Sequence, residues 1–310
     1  MKDRFYFAVP YIKGEMRMLD PAQQLLIADA EEEGASEESI ELYGRLLKED
    51  AKNEAIWYNL RGIDKACLKD FGSAEADFLN FVALEPTNKV AYYNLGQLYM
   101  EQNDFEKAKA SFEQAKNIDP EDATIHYQLG ITALHQKLFT EAIKAFDAAI
   151  ELAPEYVQAI FSRGLAKEQL TEKTVKRKRG FKFTKEHFAS VIDDYRKVLE
   201  LEPGYLASLV GLARVYEKFG EYILAQQYVS TIFESYPNSI EMMVWRARIR
   251  LEKGGDYTGV VEDCSRAIAI DSSCAKAYLY RKKAYEALGN SAEAKKDQDI
   301  IQSLVVRKAE

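Results

Sequence analysis

The sequence predicts an all-α chain, a solenoid built from a row of stacked helical hairpins. Three observations carry that expectation. Gly62, Gly96, Gly130 and Gly164 stand 34 residues apart. Pro86, Pro120 and Pro154 keep the same step, as do Ala74, Ala108 and Ala142, and Phe78, Phe112 and Phe146. Within each period the apolar residues recur at helical spacing, in two separate runs. A unit of this length cannot bury its apolar faces alone, so the units must stack on one another.

The period from Asn88 shows how each unit is made. NKVAYYNLGQLYMEQ places Val90, Tyr93, Gln97 and Met100 along one helical face, and Tyr92, Leu95 and Tyr99 along another. DFEKAKASFEQAKNIDP follows, with Phe105, Ala108, Phe112 and Ala115 at helical spacing. Asn103 and Asp104 separate the two runs, and Asp104 is placed to cap the second helix. Pro120 ends the unit, because the residue before a proline is pushed out of helical geometry. Glycine inside a helix costs roughly 1 kcal/mol against alanine. Four of them in step imply a steric need, namely close approach of the paired helices. Large residues such as Phe112 and Tyr99 are expected to fill the gap between neighbouring units.

The step is broken once. Pro154 to Pro203 and Phe146 to Tyr195 are each 49 residues, fifteen more than the period. Gly164 still keeps time and Val191 does not, so the extra residues lie between them. That interval holds TEKTVKRKRGFKFTKEH, residues 171–187. The step then resumes from Pro203 to Pro237 and from Ala213 to Ala247. Residues 171–185 carry seven basic side chains and one acid inside a chain of net charge −8.

The pattern closely resembles the tetratricopeptide repeat, best in AYYNLGQLYMEQNDFEKAKASFEQAKNIDP and in IHYQLGITALHQKLFTEAIKAFDAAIELAP. The resemblance extends over residues 21–304 and implies a right-handed α-solenoid. Residues 1–20 read as an N-terminal extension and 305–310 as a tail. Residues 21–54 form a degenerate capping unit that lacks both the glycine and the proline. An array of about seven units covers 55–304: 55–88, 89–122, 123–156, 157–205 with the insertion, 206–239, 240–274 and 275–304. Ser272 replaces the proline of its unit, and Lys282 occupies the small-residue position of the last.

Composition sets the function classes. With 47% hydrophobic and 30% charged residues the chain is globular, and its acidity argues against nucleic-acid binding by the surface as a whole. Cys67, Cys264 and Cys274 are odd in number and make no CxxC pair, which suits a reducing, cytoplasmic compartment. The apolar run at residues 5–12, FYFAVPYI, is broken by Pro10 and lacks a small-residue cleavage pattern, so it does not read as a signal peptide. No apolar run approaches the length that spans a bilayer.

No catalytic or metal-binding constellation stands out, and no cofactor is implied. His126 takes a bulky packing position, while His135 and His187 read as surface residues. Cys264 falls in the aromatic position of its unit and reads as a small core hydrophobe. Cys67 has no neighbouring base to activate it. An enzyme is therefore not expected.

The resemblance implies that the first helix of each unit lines a concave, protein-binding surface. Its outward positions in the N-terminal half are Ile56, Asn59 and Ile63, then Val90, Tyr93 and Gln97. Thr124, Tyr127 and Ile131 follow, with Phe161 and Leu165 after them. In the C-terminal half they are Arg214, Lys218, Arg248, Lys276 and Lys283, with Glu217, Glu241 and Glu286 between. One half is apolar and aromatic, which suits an extended or helical peptide, and the other is mixed and charged. The alternative is that Tyr93 and Tyr127 pack on adjacent helices or on the N-terminal segment, which could itself cover the first units.

Many members of the family grip a chaperone's C-terminal carboxylate through lysines, an arginine and asparagines. Here only Lys276 fits in the last units, where Tyr280, Trp245, Val210 and Arg214 take the other clamp positions. Only Asn94 fits in the first, against Asn59, Ile63, Thr124 and Gln128. That ligand is disfavoured. The leading expectation is a non-catalytic scaffold or adaptor for a protein partner. The alternative is electrostatic binding of nucleic acid, anionic lipid or an acidic partner through Lys176, Arg177, Lys178, Arg179 and Lys182 of the insertion. KRKR is also a nuclear-localisation pattern.

Overall fold

The turn that joins two helices of a hairpin needs one residue in the left-handed region. Lys69, Asn103 and Lys137 supply it with φ of 65°, 59° and 59°, and Gly220, Gly255 and Gly289 supply it further along, with Gly254 at positive φ as well. The reversed chain is held by a bond back to the last helical turn, as from Asp104 N to Tyr99 O at 2.9 Å or from Leu138 N to Ala133 O at 2.9 Å. The next helix then starts on a cap. Asp104 accepts from Lys107 N, as the sequence led us to expect, and Asp70 and Asp256 do the same for Ser73 N and Gly259 N.

In a computed structural model, residues 34–175 and 182–307 are described, together with residues 23, 24, 27 and 28; side chains are described to residue 304. The described residues form 15 α-helices and no strand. Consecutive helices pair, as the all-α hairpin class requires. The chain divides into two compact units, Met1–Ala159 and Ile160–Glu310.

The first unit contains α1 (Glu37–Glu49), a 3-10 turn (Ala51–Asn53), and three hairpins. These are α2 (Glu54–Cys67) with α3 (Phe71–Leu84), α4 (Lys89–Glu101) with α5 (Phe105–Ile118), and α6 (Ala123–His135) with α7 (Phe139–Leu152). Helix α8 (Val157–Val175) spans the boundary in sequence. The second unit continues with α9 (Lys185–Leu201), then α10 (Leu206–Lys218) with α11 (Tyr222–Ser235) and α12 (Ile240–Lys253) with α13 (Tyr257–Ile270). It ends with α14 (Ala275–Ala287) and α15 (Ser291–Arg307).

The glycine step has the steric origin proposed for it. A methyl group at Gly96 would lie 2.5 Å from the Phe112 ring, which is fully buried. Phe78 lies over Gly62, Phe146 over Gly130 and Tyr195 over Gly164 in the same way. Phe112 therefore fills the space inside its own hairpin. Tyr99 does reach the preceding hairpin, donating its hydroxyl to Glu75 at 2.6 Å.

The second unit adds a wedge. Tyr195 lies between two glycines, since a methyl at Gly164 would stand 2.8 Å from its ring and one at Gly211 2.7 Å. Gly211 belongs to the next hairpin and is two residues out of the repeating step. The insertion lengthens its hairpin: α8 has 19 residues and α9 has 17, against 13 or 14 in the paired helices before them. Thr184 caps α9 in a reciprocal arrangement with His187.

Candidate functional site

Repeat geometry gives each first helix one face that its own partner helix does not cover, and that face is the candidate site. In the first unit it is carried by α2, α4 and α6. Ile56, Asn59, Ile63, Val90, Tyr93 and Gln97 were expected to look outward, and the structure buries all six. The physical reason lies partly in their own contacts. Asn94 donates to Asn59 at 2.7 Å, and Gln97 and Gln128 donate to the Tyr93 hydroxyl at 3.0 and 3.1 Å. The Tyr93 ring meets Phe112 edge-on at 5.7 Å. Burial raises the Tyr93 phenol above its ordinary value, against the opposing amides of Gln128 and Gln97. Thr124, Tyr127 and Ile131 on α6 are only half-buried. Tyr127 packs on Phe146 and Tyr156, with ring centres 5.9 and 5.1 Å away.

In the second unit the corresponding face runs along α8, α10, α12 and α14. Phe161 and Leu165 are half-buried, and Phe161 packs on Tyr195 and Tyr205 at 5.5 and 5.4 Å. Arg214 is exposed but committed: its Nε and Nη2 donate to Glu168 at 3.2 and 3.0 Å. Glu168 is fully buried and also receives Lys218 Nζ at 2.6 Å and the Tyr195 hydroxyl at 2.8 Å. Burial, followed by the Glu168 carboxylate, pushes the Tyr195 phenol well above its ordinary value. Lys218 pairs with Glu172 as well. Arg248 and the Trp245 indole both donate to Glu217, at 2.8 and 3.0 Å. Lys276 and Lys283 on α14 are exposed.

The remaining candidates separate cleanly. Lys176, Arg177, Lys178 and Arg179 lie outside the described residues, and Lys182 is exposed. His126 is half-buried with Nε2 2.8 Å from the Pro120 carbonyl, His135 stacks on Phe105 at 5.2 Å, and His187 serves the cap. Cys264 is buried, and burial pushes its thiol up to about 12. Among the described residues no group of three histidine, cysteine or acidic side chains is placed to hold a metal ion. No described helix is long and apolar enough to cross a membrane.

One feature of the site escaped the sequence reading. Arg61, Arg163, Arg246 and Arg281 each reach across a hairpin to a buried aspartate, namely Asp77, Asp194, Asp263 and Asp297. These pairs tie the first helices down from behind and leave the opposite face to the residues above. The signal was present, since each arginine directly precedes the small-residue position of its unit.

A family model for the tetratricopeptide repeat matches residues 68–120 and 93–157. Residues 68–157 are tetratricopeptide repeats. The matched residues lie in the first unit; beyond them, Gly164 with Tyr195 and Ala247 with Cys264 occupy the paired small and core positions. Among solved structures, a tetratricopeptide repeat protein from Parabacteroides merdae superposes with a TM-score of 0.54 at 18% identity, over 84% of this chain and 93% of that one. The Cut9–Hcn1 hetero-tetramer of the APC/C gives 0.53 at 14% identity, over 80% of this chain and 46% of that one. At these identities the likeness is one of fold. No curated protein matches the chain. Proteins of this repeat family act as scaffolds for protein–protein interaction, and this chain has the fold for it.

Proposed function

We propose that the protein is a non-catalytic scaffold or adaptor that binds an extended or helical peptide segment of a protein partner along its first-helix faces, in a reducing, cytoplasm-like compartment. The observation that carries this reading is made in each unit by itself: the first-helix positions keep large, partly accessible side chains, Tyr127 and Ile131 in the first unit and Phe161 and Leu165 in the second. Aromatic and branched side chains bury much area for little loss of rotamer freedom, which is what a peptide-binding face needs. The cations at Arg214, Arg248 and Lys276 give the second unit's face a different, polar selectivity. Three cysteines without a disulfide suit the compartment.

The test is position-specific crosslinking. A photoreactive residue is placed singly at Ile131, at Arg248, and at Lys144 on the exposed side of α7 as control. Partner adducts concentrated at Ile131 and Arg248 support the reading. Equal yield at Lys144 sinks it.

A further inference from the structure

The first-helix face of the second unit carries a ladder of ion pairs that stops one acid short. In three successive hairpins a cation directly follows the small-residue position: Arg214 after Ala213, Arg248 after Ala247 and Lys283 after Lys282. The first two reach back to the preceding first helix. Arg214 donates to Glu168 on α8 at 3.2 and 3.0 Å, and Arg248 donates to Glu217 on α10 at 2.8 Å. Both acids stand four residues beyond the small residue of their own helix, Gly164 and Ala213. On α12 the same place, four residues beyond Ala247, is held by Leu251. Lys283 therefore meets no carboxylate, and it is exposed without an ion pair among the described residues.

No neighbouring acid takes over. Glu286 pairs with Lys282 at 3.5 Å, and Glu241 and Glu252 are exposed on α12 without pairing to α14. Lys276 is in the same state as Lys283, exposed and unpaired among the described residues. Lys276, Leu279 and Lys283 follow one another at i, i+3 and i+7, on one stripe of α14, and Leu279 is 38% exposed. The stripe thus sets an apolar side chain between two cations about 10 Å apart along the helix. An extended peptide rises about 3.3 Å per residue and turns alternate side chains to one side. Carboxylates four residues apart, with an apolar residue midway, match the stripe.

We propose that this stripe of α14 binds an acidic peptide segment, whose two side-chain carboxylates pair with Lys276 and Lys283 and whose intervening apolar residue packs on Leu279. The carboxylate at Lys283 completes the ladder that Glu168 and Glu217 begin. Charge complementarity selects the occupant: two unpaired cations favour a segment that brings its own acids and reject a neutral or basic one. This rests on the reading that first-helix faces bind peptides, and it adds the partner chemistry of one of them.

The test titrates two fluorescein-labelled peptides into the full chain, one containing Glu-Ser-Leu-Ser-Glu and the other Gln-Ser-Leu-Ser-Gln. Wild type should prefer the first by about fivefold or more, as two partly screened ion pairs allow. The preference should shrink in about 0.5 M salt. Lys276→Gln/Lys283→Gln should erase it, and Lys144→Gln on α7 should keep it. Leu251→Glu, which supplies the absent acid from α12, should weaken it as well. Circular dichroism checks that each variant keeps its helices. Equal binding of the two peptides by wild type, or a preference unchanged in Lys276→Gln/Lys283→Gln, overturns the proposal. The partner crosslinks at Ile131 and Arg248 are read separately. Adducts there without an acidic preference would remove this inference and leave the scaffold reading standing.

Discussion

Arg61 on α2 donates Nε and Nη2 to the two carboxylate oxygens of Asp77 on α3, at 2.8 and 2.6 Å. Lys65, one turn further along α2, donates to the same carboxylate at 2.8 Å. The arginine directly precedes Gly62 and the aspartate directly precedes Phe78, so the charged pair sits beside the ring-on-glycine contact. The next hairpin solves the same place differently, with Leu95 before Gly96 and Ser111 before Phe112, both buried. Hairpins of this protein thus carry either an ion pair or a buried leucine and serine at these two fixed positions.

That equivalence predicts a coupling. Asp77→Ser alone should cost about 2–4 kcal/mol, because Arg61 and Lys65 lose the carboxylate that compensates their burial. Arg61→Leu/Asp77→Ser, which copies the next hairpin, should recover at least half of that loss, since well-packed apolar groups replace such pairs at little expense. Urea midpoints of the two single variants and the double variant measure it. Strict additivity would show that the two positions do not act as a pair.

The left-handed turn residues predict a ranked series. An L-residue at this geometry is disfavoured by roughly 1–2 kcal/mol, and glycine escapes that at an entropic cost of about 0.5–1 kcal/mol. Lys69→Gly and Lys137→Gly should each raise stability by about 0.5–1 kcal/mol. Asn103→Gly should gain less, because asparagine tolerates the region better. Thermal melts of the three variants give the order. A larger gain at Asn103 than at either lysine would contradict it.

The repeat, the hairpins and the Asp104 cap were legible because each rests on a residue with few alternatives: glycine under a ring, proline at a unit's end, a short acid at a helix start. The Arg–Asp pairs were harder to see. They occur in only some hairpins, and the insertion stretches the separation in one from about 16 residues to 31. Gly211 carries no periodic signal, because Ala213, two residues on, holds the repeating position. Lys69 and Lys137 carry no mark of a left-handed backbone. The burial of Tyr93 was beyond periodicity altogether, since a helical pattern says which way a side chain points and not what lies over it.

Cys264 gives a prediction in pH. Burial, then the neighbouring Asp263 carboxylate, raises its thiol from near 9 to about 12. Between those values the unfolded chain has lost the proton and the folded chain keeps it. The unfolded state binds fewer protons there, so stability falls as pH rises, by about 1.4 kcal/mol per pH unit for this one group. Well below pH 9 the group contributes no slope. The difference in stability between wild type and Cys264→Ala should therefore be flat from pH 7 to about 8.5 and shrink steadily above that. Chemical denaturation of both proteins across the range reads it directly. A difference that does not change with pH would mean that the folded thiol titrates normally.

Gly96 and Phe112 put the packing of the hairpin to a direct test. Gly96→Ala gains about 1 kcal/mol of helix propensity but sets a methyl 2.5 Å from a fully buried ring. Phe112 has little room to retreat, because it is fully buried and Tyr93 lies against it. Overpacking of this kind costs about 1–3 kcal/mol, so the net effect should be destabilising. Phe112→Leu alone should also destabilise, through the cavity it leaves. In the double variant the smaller side chain vacates the space the methyl needs, so the two losses should sum to more than the double variant's own. Calorimetric melting of the three proteins tests this. If Gly96→Ala proves more stable than wild type, the ring does not require the glycine, and the steric origin of the 34-residue step fails with it.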